Sequence, residues 1–133
     1  MGHWIYIEEG TYVVDAAFLL TPAYIAAPLE DAVMEVYLDG TQERRVRGSG
    51  LAVSAHIIEL LEDHDEIDLL IDLGDEFRYL LKSPVIRSGK ALAPDVKSLL
   101  QFIAREPLQR LSNDEYAAIQ SRLTLIEPQS DPA

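Results

Sequence analysis

The most constraining feature of this chain is a switch to strict two-residue alternation between positions 66 and 82. Ile67, Leu69, Ile71 and Leu73 alternate with Glu66, Asp68, Leu70 and Asp72. Gly74-Asp75-Glu76 follows, and then Phe77, Tyr79 and Leu81 alternate with Arg78, Leu80 and Lys82. A period of two belongs to a strand, so the segment reads as two strands joined by a three-residue turn. Only one register makes both halves agree. It sets Leu73 against Phe77, Ile71 against Tyr79 and Leu69 against Leu81 on one face. On the other face Asp72 meets Arg78, Leu70 meets Leu80 and Asp68 meets Lys82. A slip of one residue would turn every apolar side chain to the wrong side, so the pattern itself specifies the pairing.

Two further hairpins are expected. Residues 4–18 place Trp4, Ile5, Tyr6 and Ile7 before Glu9-Gly10, and Tyr12, Val13 and Val14 after it. Residues 34–47 surround Asp39-Gly40, a strong two-residue turn signal. That turn would bring Glu35 near Arg44 or Arg45. The polar return strand, Glu43 to Arg47, reads as a sheet edge. Residues 19–33 fit no single pattern. Thr21-Pro22 could open a helix that Pro28 would kink or end.

Helices are expected at about 51–62, 94–105 and 113–124. The first follows Gly48-Ser49-Gly50 and places Val53, Ile57, Leu60 and Leu61 on one face, with His56, Glu59 and Asp63 on the other. The second starts at Pro94, carries Val96, Leu99, Leu100 and Ile103, and stops at Pro107. The third has a capping box, Ser112 with Glu115, a staple of Leu111 on Tyr116, and a stripe of Tyr116, Ile119 and Leu123. Residues 83–93 read as a loop and 127–133 as a disordered tail. The expected fold is α+β, an antiparallel sheet of hairpins packed by helices, in one domain over residues 1–126.

Charge narrows the function. The 133 residues hold 11 Lys+Arg and 23 Asp+Glu, for a net charge of −12. Such a surface disfavours nucleic acid as a direct ligand and docking on anionic membranes. No cysteine is present. That removes thiol nucleophiles and Cys-ligated metals, and it suits a reducing cytoplasm. The start, MGHWIYIEEG, has no basic n-region, and Glu8 and Glu9 interrupt it, so it does not read as a signal peptide. The apolar stretch from Ala16 to Leu29 is broken by Pro22 and Pro28 and is too short to cross a bilayer. A cytoplasmic protein is expected.

The acids are not evenly spread. Glu59 to Glu76 contains nine acids and no Lys or Arg in 18 residues, while the remaining residues hold 14 acids and 11 bases. If Asp68 and Asp72 pair with Lys82 and Arg78, then Glu59, Glu62, Asp63, Asp65, Glu66, Asp75 and Glu76 remain as one acidic face for a basic partner. Asp63-His64-Asp65-Glu66 has metal-ligand types, but adjacent residues at a junction fan apart and the EF-hand spacing is missing, so no metal or cofactor is expected. His56 has no nucleophile tied to it by motif, and no G-x-S-x-G elbow occurs, which leans away from an enzyme.

The leading expectation is therefore a protein-binding module: an inhibitor, immunity-type protein, chaperone or adaptor. An alternative is a ligand-binding or enzymatic domain with an anion or phosphate pocket. Arg44, Arg45, Arg47 and Ser49 would form it at the start of the first helix, with Arg87 and Lys90 from a second basic loop. A third possibility is a subunit of a larger assembly or homo-oligomer, with Trp4 and Tyr6 as interface anchors.

Overall fold

The computed structural model describes residues 8–63, 66–88, 97–106 and 108–126, with only the backbone for Ile58, Glu62 and Asp63. Ten strands and two helices lie in this span. They are β1 (Gly10–Val13), β2 (Ala16–Leu20), β3 (Ile25–Leu38), β4 (Arg44–Val53), α1 (Ser54–Asp63), β5 (Asp68–Asp72), β6 (Arg78–Leu81), β7 (Val85–Ser88), β8 (Lys97–Ile103), β9 (Gln109–Leu111), α2 (Asn113–Arg122) and β10 (Thr124–Leu125). Antiparallel sheet dominates and the helices are few and short, so the expected α+β balance is corrected toward β.

The ladders join into a closed circuit. β1 and β2 together run antiparallel to β3, from Gly10 opposite Val36 to Leu20 opposite Ala26. β3 pairs with β4, and β4 with β8. On the other side β2 pairs with β5, and β5 with β6. β6 leads through residues 82–84 into β7, and β9 follows β8 in the chain. These two runs also pair, β7 with β8 and β6 with β9. Six strand runs thus close an antiparallel barrel, which removes most free edges.

Alternation fills its inside. Leu19, Met34, Leu69, Tyr79, Leu81, Leu100 and Phe102 are all essentially inaccessible and share one cluster. Burying each such side chain stabilises the fold by about 1.5–3 kcal/mol. The β2–β3 turn and the α1 connection lie at one end, and α1 adds Ile57 and Leu60 to that core. The β3–β4 loop lies at the opposite end, toward which the β5–β6 turn also points. α2 lies outside, where Leu111 and Tyr116 pack on Leu70, with Phe18, Leu80 and Ile119 around them.

The 66–82 hairpin forms in the expected register. Leu69 faces Leu81, Leu70 faces Leu80, Ile71 faces Tyr79 and Asp72 faces Arg78. Lys82 Nζ lies 2.9 Å from Asp68, and Arg78 Nε lies 3.6 Å from Asp72. The α2 capping box is also present, with Glu115 N donating to Ser112 Oγ at 3.1 Å and Ser112 N to Glu115 Oε1 at 2.9 Å. The turn at Asp39-Gly40 forms as a five-residue loop, 39–43. Its Asp39 carboxylate accepts from Thr41 N, Thr41 Oγ1, Glu43 N and Arg45 Nε. The Thr41 hydroxyl foremost, then Arg45, holds that carboxyl far below the ordinary carboxylate range.

Other expectations are corrected. Residues 10–20 run alongside β3, and the first half of the hairpin expected at 4–18, residues 4–7, lies outside the described residues. The turn comes at Thr21–Tyr24, where Tyr24 N donates to Thr21 O at 2.9 Å, so no helix starts at Pro22. Pro28 is accommodated inside β3. On that stretch Tyr24 and Ala26 turn their carbonyls toward β10, so Pro28 has its missing N–H on the same side, just past the end of β10. The helix expected at 94–105 is strand β8. Leu100 and Phe102 point inward while Leu99 is 51% exposed, which is strand periodicity. The reason is non-local. Phe102 pairs with Gly48 on β4, and its ring fills the space that a side chain there would occupy. The loop expected at 83–93 contains β7, and the first helix begins at Ser54 rather than 51 because β4 runs through to Val53.

Candidate functional site

The described acids assigned to the 59–76 face, Glu59, Glu66, Asp75 and Glu76, do not form one face. Glu59 on α1 and Glu66 before β5 are exposed at the α1 end, whereas Asp75 and Glu76 are exposed in the β5–β6 turn. β5 separates the two pairs. Its five residues span roughly 15 Å at about 3.3 Å per residue. Asp65 and the side chains of Glu62 and Asp63 lie outside the described residues. The single acidic face is thus corrected to two acidic ends.

Asp68 and Asp72 are satisfied at home, as the register required. Lys82 and the Ser83 N–H both donate to Asp68, and the Asp68 hydrogen bond raises the Lys82 ammonium above its ordinary range. Arg78 also stacks on Tyr116, 4.6 Å from the ring centre, and donates to Asn113 Oδ1 at 3.0 Å. Asn113 in turn donates to Glu76 Oε1 at 3.3 Å. The end that carries Asp75 and Glu76 is therefore tied to the start of α2. Gly74, Asp75 and Glu76 all have positive φ, at 87°, 52° and 70°. For Asp and Glu this left-handed geometry is strained.

The basic residues are brought to a different surface. Arg47 and Ser49 project from the outer face of β4, and Arg87 follows two strands away through the cross-strand row Ser49–Gln101–Arg87. A groove of about 510 Å³ opens on this face, lined by Thr11, Val33, Glu35, Arg47, Ser49 and Gln101 among others. The helix start expected to build an anion site there does not form. Gly48-Ser49-Gly50 lies within β4, between the β3 and β8 ladders, and is not a turn at a helix N-terminus. Its backbone therefore serves the sheet. Arg47 donates to Glu35 at 2.6 Å and stacks on Tyr37 at 4.2 Å, so Glu35 meets Arg47 rather than Arg44 or Arg45. Arg45 pairs with Asp39 at 2.8 Å and Glu43 at 3.4 Å. Arg44 is half-buried, and Lys90 lies outside the described residues. β4 is central, not the edge that its polarity suggested.

His56 is buried, with Nε2 lacking a hydrogen-bond partner among the described residues, whereas the helical pattern had set it on the outer side of α1. No group of three or more His, Asp or Glu among the described residues is arranged to hold a metal ion. No described helix is long and apolar enough to cross a membrane. Trp4 and Tyr6 lie outside the described residues. Among the described residues the flank of β1 away from β3 carries no strand, and residues 4–7, expected there as a hairpin partner, lie outside the described residues. Comparisons with protein-family models, with curated proteins and with solved structures find no match.

Proposed function

We propose that this protein is a cytoplasmic protein–protein interaction module that meets a basic partner through an acidic end of its barrel. One observation carries the reading. Arg45, Arg47, Arg78, Lys82 and Lys97 each sit in an ion pair with a carboxylate of the same chain. Internal pairing thus consumes much of the positive charge. Exposed carboxylates without an ion pair among the described residues remain at both ends, Asp75 and Glu76 at one and Glu59 and Glu66 at the other. Unneutralised charge of one sign steers and selects an oppositely charged partner and makes association salt-sensitive.

The test is co-purification from the native host with two paired variants, Asp75→Asn with Glu76→Gln, and Glu59→Gln with Glu66→Gln. One pair should lose a partner that high salt also releases from the unaltered chain. Equal recovery in both variants and at both salt levels would refute the reading.

The groove supports a second reading, a small anionic ligand held by Ser49, Gln101 and Arg47. Such a ligand would have to draw Arg47 from Glu35. Thermal stabilisation by a phosphometabolite, abolished in Arg47→Ala, would establish it.

A further inference from the structure

We propose that the edge of β1 left unpaired among the described residues accepts an extended Lys/Arg-bearing segment of a partner protein as an added strand, an inference that rests on the basic-partner reading above. The edge is defined by hydrogen bonding. Val14 N donates to Ala32 O on β3. Ladder bonds alternate, so Gly10 and Tyr12 also turn their backbone groups to β3, while Thr11 and Val13 turn theirs away. Asp15 N, the next on that outward side, donates to Asp72 O at the last residue of β5. There β5 ends and its chain turns off at 73–77. Among the described residues nothing pairs with the outward N–H and C=O groups of Thr11 and Val13. Gly10 and Thr11 are exposed, and Val13 is 76% exposed. An unpaired edge in an otherwise closed barrel is a template for another strand.

Charge selects the occupant. Exposed Glu8 and Glu9 precede the edge, exposed Asp15 follows it, and Asp75 and Glu76 lie in the turn where β5 stops. The nearest cation in the adjoining cross-strand row is Arg47, which Glu35 already holds. A second copy of this chain would bring the same carboxylates against themselves, and like charges face to face disfavour that pairing. A segment with Lys or Arg at alternate positions suits the edge. Its backbone would bond Thr11 and Val13, and its cations would reach the flanking acids. The groove beside Thr11 leaves room for its outward side chains.

The test adds a capped peptide of alternating Lys and Val, and a twin with Glu for Lys, to the full chain at low salt. Amide exchange is followed by NMR. The Lys peptide should slow exchange at Thr11 and Val13 by about tenfold or more, and the Glu peptide should not. Val13→Pro removes an outward donor while leaving the β3 ladder intact, and it should abolish the effect. If that variant fails to fold, a Lys peptide N-methylated at alternate residues gives the same discrimination, since it cannot complete a ladder. Three results would overturn the inference: Thr11 and Val13 amides already protected without peptide, a dimer paired through β1, or no binding. Binding that survives both Val13→Pro and N-methylation would overturn the edge alone and leave the basic-partner reading standing. Co-purification unaffected by acid neutralisation would instead remove that reading itself.

Discussion

The barrel has two outer faces built from the same kind of alternating strand, and they end differently. On one, Phe18, Leu70 and Leu80 are covered by α2 through Leu111, Tyr116 and Ile119. On the other, Val13, Val33 and Leu99 remain exposed at 76%, 36% and 51% among Arg47, Ser49 and Gln101. Outward apolar residues thus acquire opposite roles. Beneath the helix they form a second small core. Across the barrel they flank a groove and a strand edge that no other described strand pairs. Whether an outward leucine stabilises the fold or is left for a partner depends on what the rest of the chain lays over it.

Substitutions can break this contrast. The largest effect is expected at Leu70, which is fully buried beneath α2. Leu70→Ala should cost about 2–5 kcal/mol in denaturant unfolding, from lost burial plus the cavity left behind. A value near zero would mean that α2 does not seal its face. Next comes Gly48, where an added Cβ would collide with the Phe102 ring and the Val33 carbonyl. Gly48→Ala should cost about 1–3 kcal/mol, and Phe102→Leu in the same chain should recover part of it. Ser112→Ala removes the α2 cap and should cost about 1 kcal/mol. On the bare face Leu99→Ser should change stability by no more than about 0.5 kcal/mol. A large loss there would show that the face is covered in solution.

pH offers a further check at the barrel end that holds the β3–β4 loop. The Asp39 carboxyl is lowered by Thr41 first and Arg45 next, and the Glu115 carboxyl by the Ser112 backbone and hydroxyl. A lowered folded-state value means that these groups contribute stability above their unfolded values. That contribution is lost only as pH falls through the lower folded values. Lys82 works in the opposite sense. Its raised value means a contribution present below the unfolded value and lost as pH rises through the folded one. Carboxyl NMR should find Asp39 titrating below an ordinary Asp, and Thr41→Ala should move it upward. An ordinary midpoint in the unaltered chain would refute the loop geometry.

Some of this was legible in the sequence because the interactions are local. The 68–82 hairpin needs only its own alternation and a short turn. The 34–47 hairpin needs only its Asp39-Gly40 turn signal, although the five-residue loop and the Glu35–Arg47 pair were not legible. The α2 box needs Ser112 and Glu115. In each case partners lie close enough in the chain for residue type and spacing to determine the pairing by themselves. The acidic balance was legible too.

The rest belongs to barrel closure. Leu99, Leu100 and Ile103 satisfy a helical spacing as well as Leu100 and Phe102 satisfy a strand spacing, and only Gly48 across the ladder selects the strand. Polar β4 reads as an edge until β8 arrives on its far side. Thr21-Pro22 reads as a helix start until β3 returns along β2. The acids of residues 59–76 are contiguous in sequence, yet β5 carries them to two ends. Among the described residues β1 has no second neighbour, because β5 stops at Asp72. Each of these outcomes depends on a partner far along the chain. Local propensity differs by fractions of a kcal/mol per residue, whereas packing a large side chain in a closed barrel is worth about 1.5–3 kcal/mol, so the distant partner decides.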